Sequence, residues 1–258
     1  MIVETLVLHA SDFIEWVDAS GVQGGARRPV PAQGLRIRLD SPPADLELIH
    51  KTAGTVLWRR VPAELRRVIA GAASPADLAV PAEADEPLYP LAGEVADPAG
   101  HFLPRRFSLA AGRRAEHALS LFRSPLGTRF GRAGGLTGRT TLEDGTPVPW
   151  ALLALRVTPP LATPFDFMAQ SDAHGEFRLS LARLPALTKD APATTYPGVL
   201  TVRAAASGTD PDALPAARVR GTGSGNAAFK TQITVDIAPG RIATLASPGR
   251  DDLVLRFS

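Results

Sequence analysis

The sequence predicts an all-β protein made of two tandem β-sandwich domains with at most one short helix. Three observations lead to this fold class. The 24 prolines and 23 glycines are scattered between short apolar runs, which favours many turns and short strands. Several of these runs alternate apolar and polar residues, as half-buried strands do. Finally, one pattern occurs twice, because Pro-Val-Pro begins at Pro29 and again at Pro147, and each copy leads to a glycine turn, at Gly54 and Gly175.

The first half of the chain begins with strands. Apolar residues between positions 2 and 17 predict one strand or two, and residues 35–39 alternate strictly with two arginines on the polar face. Residues 56–58 predict a further strand after the turn at Gly54. Residues 62–70, which begin with proline, are the best helix candidate of the chain.

The middle of the chain is predicted to contain a long connection and the domain boundary. Alanine, proline and acidic residues dominate from position 71, and we expect a long loop over residues 71–104. Residues 107–109 and 118–122 predict the two strands of a hairpin. The glycine- and arginine-rich segment 123–135 lacks an apolar period, which places an N-terminal domain at 1–128 and a second domain at 129–258.

The second half shows the strand pattern more clearly. An Asp-Gly turn at residues 143–146 separates the first two predicted strands of this half. Seven or more short strands at such spacing are typical of a β-sandwich. The predicted strands are residues 136–142, 150–157, 165–171, 176–181, 199–204, 229–237 and 253–257.

A specific motif lies at the start of this second half. It combines Glu143-Asp144-Gly145 with Pro147-Val148-Pro149, followed by Ser171-Asp172, Gly175 and Phe177. This pattern resembles the carboxypeptidase regulatory-like family. The resemblance implies a seven-stranded, prealbumin-like sandwich, so that both domains are expected to be of the immunoglobulin/prealbumin-like type. It also implies an accessory or adhesion module without catalytic residues.

Composition limits the cellular context. The absence of cysteine excludes disulfides and cysteine-ligated metals. The N-terminal residues have no basic start and include Glu4, His9 and Asp12, so we expect no signal peptide. No stretch reaches the ~20 apolar residues of a membrane span. We therefore expect cytoplasmic synthesis without a signal peptide, and a place in a phage-like particle.

Charge is segregated along the chain. Residues 77–97 contain six acids and no base, whereas residues 100–140 contain eight arginines and one acid. Opposite charges on successive segments suit head-to-tail contact between subunits. We predict that Arg105, Arg106, Arg113 and Arg114 bind a protein partner. We do not expect nucleic acid there, because lysines and aromatic residues are few.

Residues that carry catalysis do not form a recognisable motif. Five histidines are spread along the chain without a His-Glu-x-x-His motif, so we predict no metal site. The glycine cluster 221–226 lacks the spacing of a nucleotide-binding loop, and Ser224 lacks the flanking glycine of a hydrolase elbow. We therefore expect no catalytic residue, no cofactor and no enzyme activity. Besides the two functions described next, a third hypothesis is a hydrolase whose catalytic residues come together only in the folded chain.

The expected function is that of a non-catalytic structural or assembly protein. Its partners would be other protein subunits, and the assembly would be a phage tail or a contractile injection particle, by analogy with other cysteine-free β-sandwich repeats. The alternative is a carbohydrate- or cell-surface-binding module, with a glycan stacked on Trp58 or Trp150. Both tryptophans, like Trp16, lie in or beside apolar strands, where packing in the core is expected.

Overall fold

The computed structural model of the chain describes residues 9–21, 28–60, 88–112, 115–160, 162–187 and 194–257. Strands dominate these residues, whose only helical segments are the 3-10 turns Ala19–Gly21, Ala32–Gly34 and Gly225–Ala228. The strands form β-sheets around two separate hydrophobic cores. The predicted all-β fold of two tandem sandwiches is confirmed. The predicted helix at residues 62–70 lies outside the described residues.

In the described part of the chain, seven strands form the first sandwich. One sheet has the order β3-β4-β1-β7, in which β1 and β7 are parallel, and the other sheet has the order β2-β5-β6. The strands are β1 (His9–Asp18), β2 (Arg36–Asp40), β3 (Leu46–Lys51), β4 (Gly54–Arg60), β5 (Tyr89–Ala96), β6 (Arg105–Ala111) and β7 (Glu116–Leu121).

Trp16 is the central side chain of the first core. It is fully buried and meets Phe107 of the opposite sheet edge to face, with 5.8 Å between the ring centroids. Its Nε1 donates a hydrogen bond to the hydroxyl of Thr55 at 3.0 Å, so the polar end of the indole is satisfied inside the core. Trp16 is therefore a packing residue and does not face a ligand.

Ten strands of the described residues form the second sandwich. In one sheet β8 lies between β11 and β16, and in the other the order is β10-β9-β12, with β15 also paired to β12. The strands are β8 (Gly134–Thr141), β9 (Leu152–Val157), β10 (Phe165–Gln170), β11 (Glu176–Ser180), β12 (Tyr196–Arg203), β13 (Ala216–Arg220), β14 (Phe229–Lys230), β15 (Gln232–Ile237), β16 (Arg241–Thr244) and β17 (Leu253–Phe257).

Two strands join the sheets of the second sandwich along one side. β13 pairs with the last residues of β12, β17 pairs with β13, and the start of β17 pairs in parallel with the end of β8. The first sandwich has no such closure among its described strands. The second sandwich is thus closed at one edge, which leaves fewer free backbone groups there.

The two Pro-Val-Pro segments occupy the same place in both sandwiches. Pro29 forms an isolated bridge with Val17 near the end of β1. Pro147 forms the equivalent bridge with Thr141, at the end of β8. Each segment therefore lies beside the end of the first strand of its sandwich.

The valine of each segment extends this correspondence. Val30 donates its backbone N–H to the carbonyl of Trp16 at 2.7 Å, and Val148 donates to Thr140 at 2.8 Å. Both valines are buried. The sequence repeat thus corresponds to the same backbone contacts in both halves.

The third strand is where the two sandwiches differ. In the first, β3 pairs with the following β4, whereas in the second, β10 pairs with the preceding β9. Only residues 52 and 53 connect β3 to β4, and such a tight hairpin keeps both strands antiparallel in one sheet. The longer connection 171–175 lets β10 and β11 lie in different sheets.

Two predictions for the middle of the chain are wrong. The long loop expected over 71–104 contains β5, the central strand of its sheet, although residues 71–87 lie outside the described residues. The strand was hidden by Pro90 and by Gly93, where a Cβ atom would lie 2.6 Å from the carbonyl oxygen of Arg38. The hairpin of residues 107–122 is also wrong, because β6 pairs with β5 and β7 with β1 of the other sheet.

Candidate functional site

Arg105 lies at the junction of the two sandwiches. It is the first residue of β6, and only 1% of its side chain is exposed. Its Nη2 donates to the carboxylates of Asp212 at 2.7 Å and Asp210 at 3.2 Å, both from the second sandwich. Its Nη1 and Nε donate to the carbonyls of Ser120 at 2.7 Å and Arg106 at 3.1 Å within the first. One guanidinium therefore links both halves of the chain.

The loop that supplies both carboxylates is held in place by its own hydrogen bonds. Asp210 accepts the backbone N–H of Asp212 at 3.1 Å. Arg203, at the end of β12, donates to the carbonyls of Leu214 at 2.7 Å and Asp212 at 2.8 Å. The backbone of Thr209 in turn accepts the N–H of Arg106 at 3.3 Å. These hydrogen bonds hold the loop that carries both carboxylates beside Arg105.

An apolar cluster lies at the same junction. Leu103 and Phe122 from the first sandwich pack in one cluster with Leu152 and Leu214 from the second. Trp150 packs against this cluster with a backbone φ of 60°, a left-handed conformation that bulky residues rarely adopt. Burial of this cluster favours one fixed orientation of the two sandwiches.

A second arginine, Arg123, anchors the segment between the sandwiches to the first sandwich. Arg123 donates from Nε at 2.9 Å and from Nη2 at 2.7 Å to one carboxylate oxygen of the buried Asp18. Its guanidinium lies 5.2 Å from the ring centroid of Phe102, and Nη1 bonds to the carbonyl of Gly127 at 3.1 Å. A Cβ at Gly127 would lie 2.0 Å from the carbonyl oxygen of His101, so the chain here requires glycine.

The four arginines predicted to bind a partner have different surroundings. Arg105 is buried with partners inside the chain, so its side chain is not available to another protein, contrary to the prediction. Arg106 is exposed and forms an ion pair with Asp40 of β2, in the same sheet. Arg113 and Arg114 lie outside the described residues, and their assignment stays a prediction.

Asp12 holds the two ends of the connection that carries Arg113 and Arg114. Its carboxylate accepts the backbone N–H of Ala115 at 2.7 Å and that of Gly112. Asp12 itself is buried. This carboxylate therefore fixes where the connection leaves β6 and enters β7.

The acidic segment before β6 also uses its charges within the chain. Glu94 forms an ion pair with Arg38 at 3.0 Å. Asp97 accepts the backbone N–H groups of Ala99, His101 and Phe102 at 2.8–3.1 Å. The two described acids of this segment, Glu94 and Asp97, are thus satisfied by contacts inside the first sandwich.

A groove of about 710 Å³ opens beside the junction. Its floor is formed by β8 and β11, and one wall is formed by Gly100, Leu103 and residues 124–126 of the first half. Leu126 on this wall is 90% exposed. The charged side chains of the groove are Arg139, Arg178, Asp172, Glu176, Asp251 and Asp252.

Two charged side chains of the groove are already engaged in hydrogen bonds within the chain. Asp172 is occupied by the backbone N–H groups of His174 at 2.8 Å and Glu176 at 2.9 Å, and Arg139 donates to the carbonyl of His174 at 3.0 Å. The side chain of His174 is exposed at this turn. In the described part of the chain, no group of three or more histidine or acidic side chains is arranged to hold a metal ion.

The tryptophans and the glycine cluster occupy the following positions. Trp150 packs at the junction and Trp16 in the first core, while Trp58 is half-buried on the outer face of β4. The cluster 221–226 is followed by the strand β14 after one 3-10 turn, as predicted. Of the two indoles proposed to stack on a sugar, only that of Trp58 lies away from the junction.

Hydrogen bonds at the Asp-Gly turn lower the pKa of its aspartate. The backbone and side-chain hydrogen bonds of Thr146 lower the pKa of Asp144 from its ordinary value of 3.8. Gly145 completes the turn with a φ of 85°. The predicted tight turn between β8 and β9 is thus present and stabilised by the charged form of its aspartate.

The sequence did not predict Asp210 and Asp212 as residues of this site. Their segment, residues 207–212, contains glycine, aspartate and proline, a composition that indicates only a turn. Nothing in its spacing points to Arg105. Comparison with known proteins adds no candidate, since no family model matches the chain and no curated protein is significantly similar in sequence. Within the described residues, no helix is long and apolar enough to cross a membrane.

Proposed function

We propose that the chain is a non-catalytic structural or assembly protein that acts through protein–protein contacts. The observation that carries this proposal is the pairing of the buried Arg105 guanidinium with the carboxylates of Asp210 and Asp212 at the junction. Breaking such a pair is costly, so it keeps the two sandwiches in one orientation. A fixed orientation suits a subunit that must present two surfaces at a set distance and angle.

The remaining polar contacts support the same role. The most deeply buried charged groups, Arg105, Asp12 and Asp18, are engaged in holding strands and connections together. The charged groove beside the junction and the free edges of the sheets are where other subunits would bind. Charged rims of this kind orient partners and set specificity.

The particle we propose is a phage tail or a related contractile injection particle. The support is the repeat of a cysteine-free β-sandwich in one chain, which is an analogy at the level of the fold. Other subunits of that particle are then the partners. No cofactor is needed for this role.

The test is the mass of the native particle that carries this protein. The protein is tagged at its own locus and the lysate is sized by gradient sedimentation, with sheath and tube proteins identified in the same fraction. We expect a megadalton assembly. A mass near that of the free 27.2 kDa chain would contradict the proposal and favour the carbohydrate-binding alternative.

A matched pair of variants links this test to the junction. Arg105→Ala loosens the two sandwiches, while Arg106→Ala removes only an exposed ion pair on the same strand. We expect Arg105→Ala to reduce incorporation into the particle and Arg106→Ala to leave it unchanged. Equal incorporation of both variants would show that the fixed junction has no part in assembly.

A further inference from the structure

The outer face of the β3-β4-β1-β7 sheet carries an apolar row that ends at a free edge. Ile49 of β3 lies opposite Val56 of β4, and Val56 lies opposite Phe13 of β1. These three side chains point away from the core, because their neighbours Leu48, Leu57 and Ile14 belong to it or pack on it. Ile49 is 40% exposed, so the row is open where the sheet ends.

β3 is an edge strand with unpaired backbone groups. It is the terminal strand of its sheet, and no other described strand pairs with its outer side. The N–H of Leu46 donates to the carbonyl of Pro43 at 3.0 Å and so points away from β4. Backbone groups alternate in direction along a strand, which places those of Leu48 and His50 on the free side as well.

The charges of this edge are complementary to themselves. Glu47 and Lys51 lie two residues on either side of Ile49, on the same face and exposed. If a second β3 pairs antiparallel and is centred on Ile49, then Glu47 lies opposite Lys51 of the copy and Lys51 opposite Glu47. Ile49 then lies opposite its own copy. Directly opposed side chains of opposite charge stabilise a sheet.

We propose that two copies of this chain associate through their β3 strands, related by a two-fold axis at Ile49. The pairing joins two four-stranded sheets into one and continues the apolar row across the axis, from Phe13 of one copy to Phe13 of the other. The backbone groups of Leu48 and His50 become the hydrogen-bonded pairs. An isologous contact of this kind closes on itself and makes a dimer.

The edge strand of the opposite sheet provides the contrast. In β2, an antiparallel pairing centred on Arg38 would place Arg38 opposite its own copy, and like charges directly opposed destabilise a sheet. Arg38 already forms an ion pair with Glu94, and Asp40 forms one with Arg106. The same pairing geometry that suits β3 is therefore disfavoured at β2.

The first experiment is a charge exchange on the purified full-length chain. The mass is measured by sedimentation equilibrium for the wild type, Glu47→Lys, Lys51→Glu and the double variant. Because the two-fold axis repeats each contact, each single change places like charges opposite each other at two points of the interface. We expect it to weaken dimerisation by about tenfold or more. The double variant restores both pairs and should recover the wild-type dimer. Both positions are exposed, so the variants are expected to fold.

Two outcomes of the charge exchange would overturn the proposal. One is a wild-type chain that stays monomeric both at micromolar concentration and at ten times that concentration. The other is a dimer whose stability is the same in all four proteins, which would mean that the copies meet elsewhere. Failure of the double variant to recover, with its fold intact by circular dichroism, would equally exclude the proposed register.

A disulfide test reports on the same register independently. The chain has no cysteine, so Ile49→Cys creates a single thiol. Directly opposed residues of a non-hydrogen-bonded pair have Cα atoms about 4.5 Å apart, which is within disulfide reach. Mild oxidation should cross-link Ile49→Cys rapidly and the exposed control Ser108→Cys on β6 only slowly. Equal rates would contradict the pairing at Ile49.

This inference rests on the proposed function only in treating protein contact as the role of the chain. The two can fail separately. A dimer that passes both tests while the lysate shows no large particle would leave the pairing in place and overturn the structural role. A large particle containing a chain that is monomeric when purified and does not cross-link would support the structural role and overturn the pairing.

Discussion

Replacement of Arg105 by alanine is the most direct perturbation of the junction. The change removes the guanidinium that binds both carboxylates, Asp210 and Asp212, and the donors to the carbonyls of Ser120 and Arg106. It also leaves a cavity where a side chain that is 1% exposed had been packed. The two sandwiches then lose the ion pairs that join them.

The expected cost follows from how buried each partner is. Removing one member of a fully buried ion pair destabilises a protein by about 3–5 kcal/mol. Here Asp210 and Asp212 are 24% and 68% exposed, so water can solvate the carboxylates once the arginine is gone. The two carbonyls near the buried guanidinium gain less from water. We therefore expect a loss of about 2–3 kcal/mol in the free energy of unfolding, below the fully buried limit.

Urea unfolding followed by tryptophan fluorescence measures this loss. Trp16 reports on the first core and Trp150 on the junction. With a urea dependence of about 2–3 kcal/mol per molar, the transition midpoint should fall by about 1 M. We also expect the single transition of the wild type to separate into two, because the sandwiches no longer unfold together.

The matched control is Arg106→Ala on the same strand. Its ion pair with Asp40 is exposed on both sides, and such pairs contribute about 0–1 kcal/mol. A midpoint shift for Arg105→Ala no larger than that for Arg106→Ala would refute the reasoning. The buried guanidinium would then be a packing residue whose ion pairs add nothing to stability.

Three further predictions concern single positions. Gly134→Ala should destabilise the fold by at least about 3 kcal/mol, because φ is 77° and a Cβ would lie 2.0 Å from the carbonyl oxygen of Arg241. Gly145→Ala, with φ of 85° but open space, should cost only about 1 kcal/mol, and equal urea midpoints would contradict this difference. Trp16→Phe loses a buried hydrogen bond and part of the packing and should cost about 2 kcal/mol; an unchanged thermal midpoint would contradict it. The lowered pKa of Asp144 contributes stability above its unfolded pKa, and this contribution is lost as pH falls through the folded value. Asp144→Asn should therefore flatten the acid side of the stability curve, and an unchanged slope below pH about 4 would exclude this linkage.

The strands of the second half could be predicted because their local pattern agrees with their environment. Phe177 and Leu179 alternate with exposed residues in β11, and each predicted strand of this half coincides with an observed one. The strands β13 and β16 were missed. β16 has four exposed residues, so it shows no alternation, although it completes the sheet beside β8.

The first half was harder to predict because neighbours in sequence separate into different sheets there. β6 and β7 are adjacent strands with apolar alternation, which is the sequence pattern of a hairpin. The connection between them is instead held by Asp12 of β1, which lies far away in the sequence. β7 is thereby placed in parallel beside β1, and no local feature of residues 105–122 reports this contact.

Arg105 shows what the strand pattern of the sequence can predict and what it cannot. In β6 the buried Phe107 lies two residues after Arg105, and the period of a strand places both side chains on one face. The alternation therefore contained the information that Arg105 points inward, and clustering with other arginines obscured it. A buried guanidinium requires carboxylates, but Asp210 and Asp212 follow more than a hundred residues later, in a turn that any surface loop could resemble. The face of the strand is set by local sequence, whereas the partners of the arginine are set by the orientation of two domains, which is fixed only when both have folded.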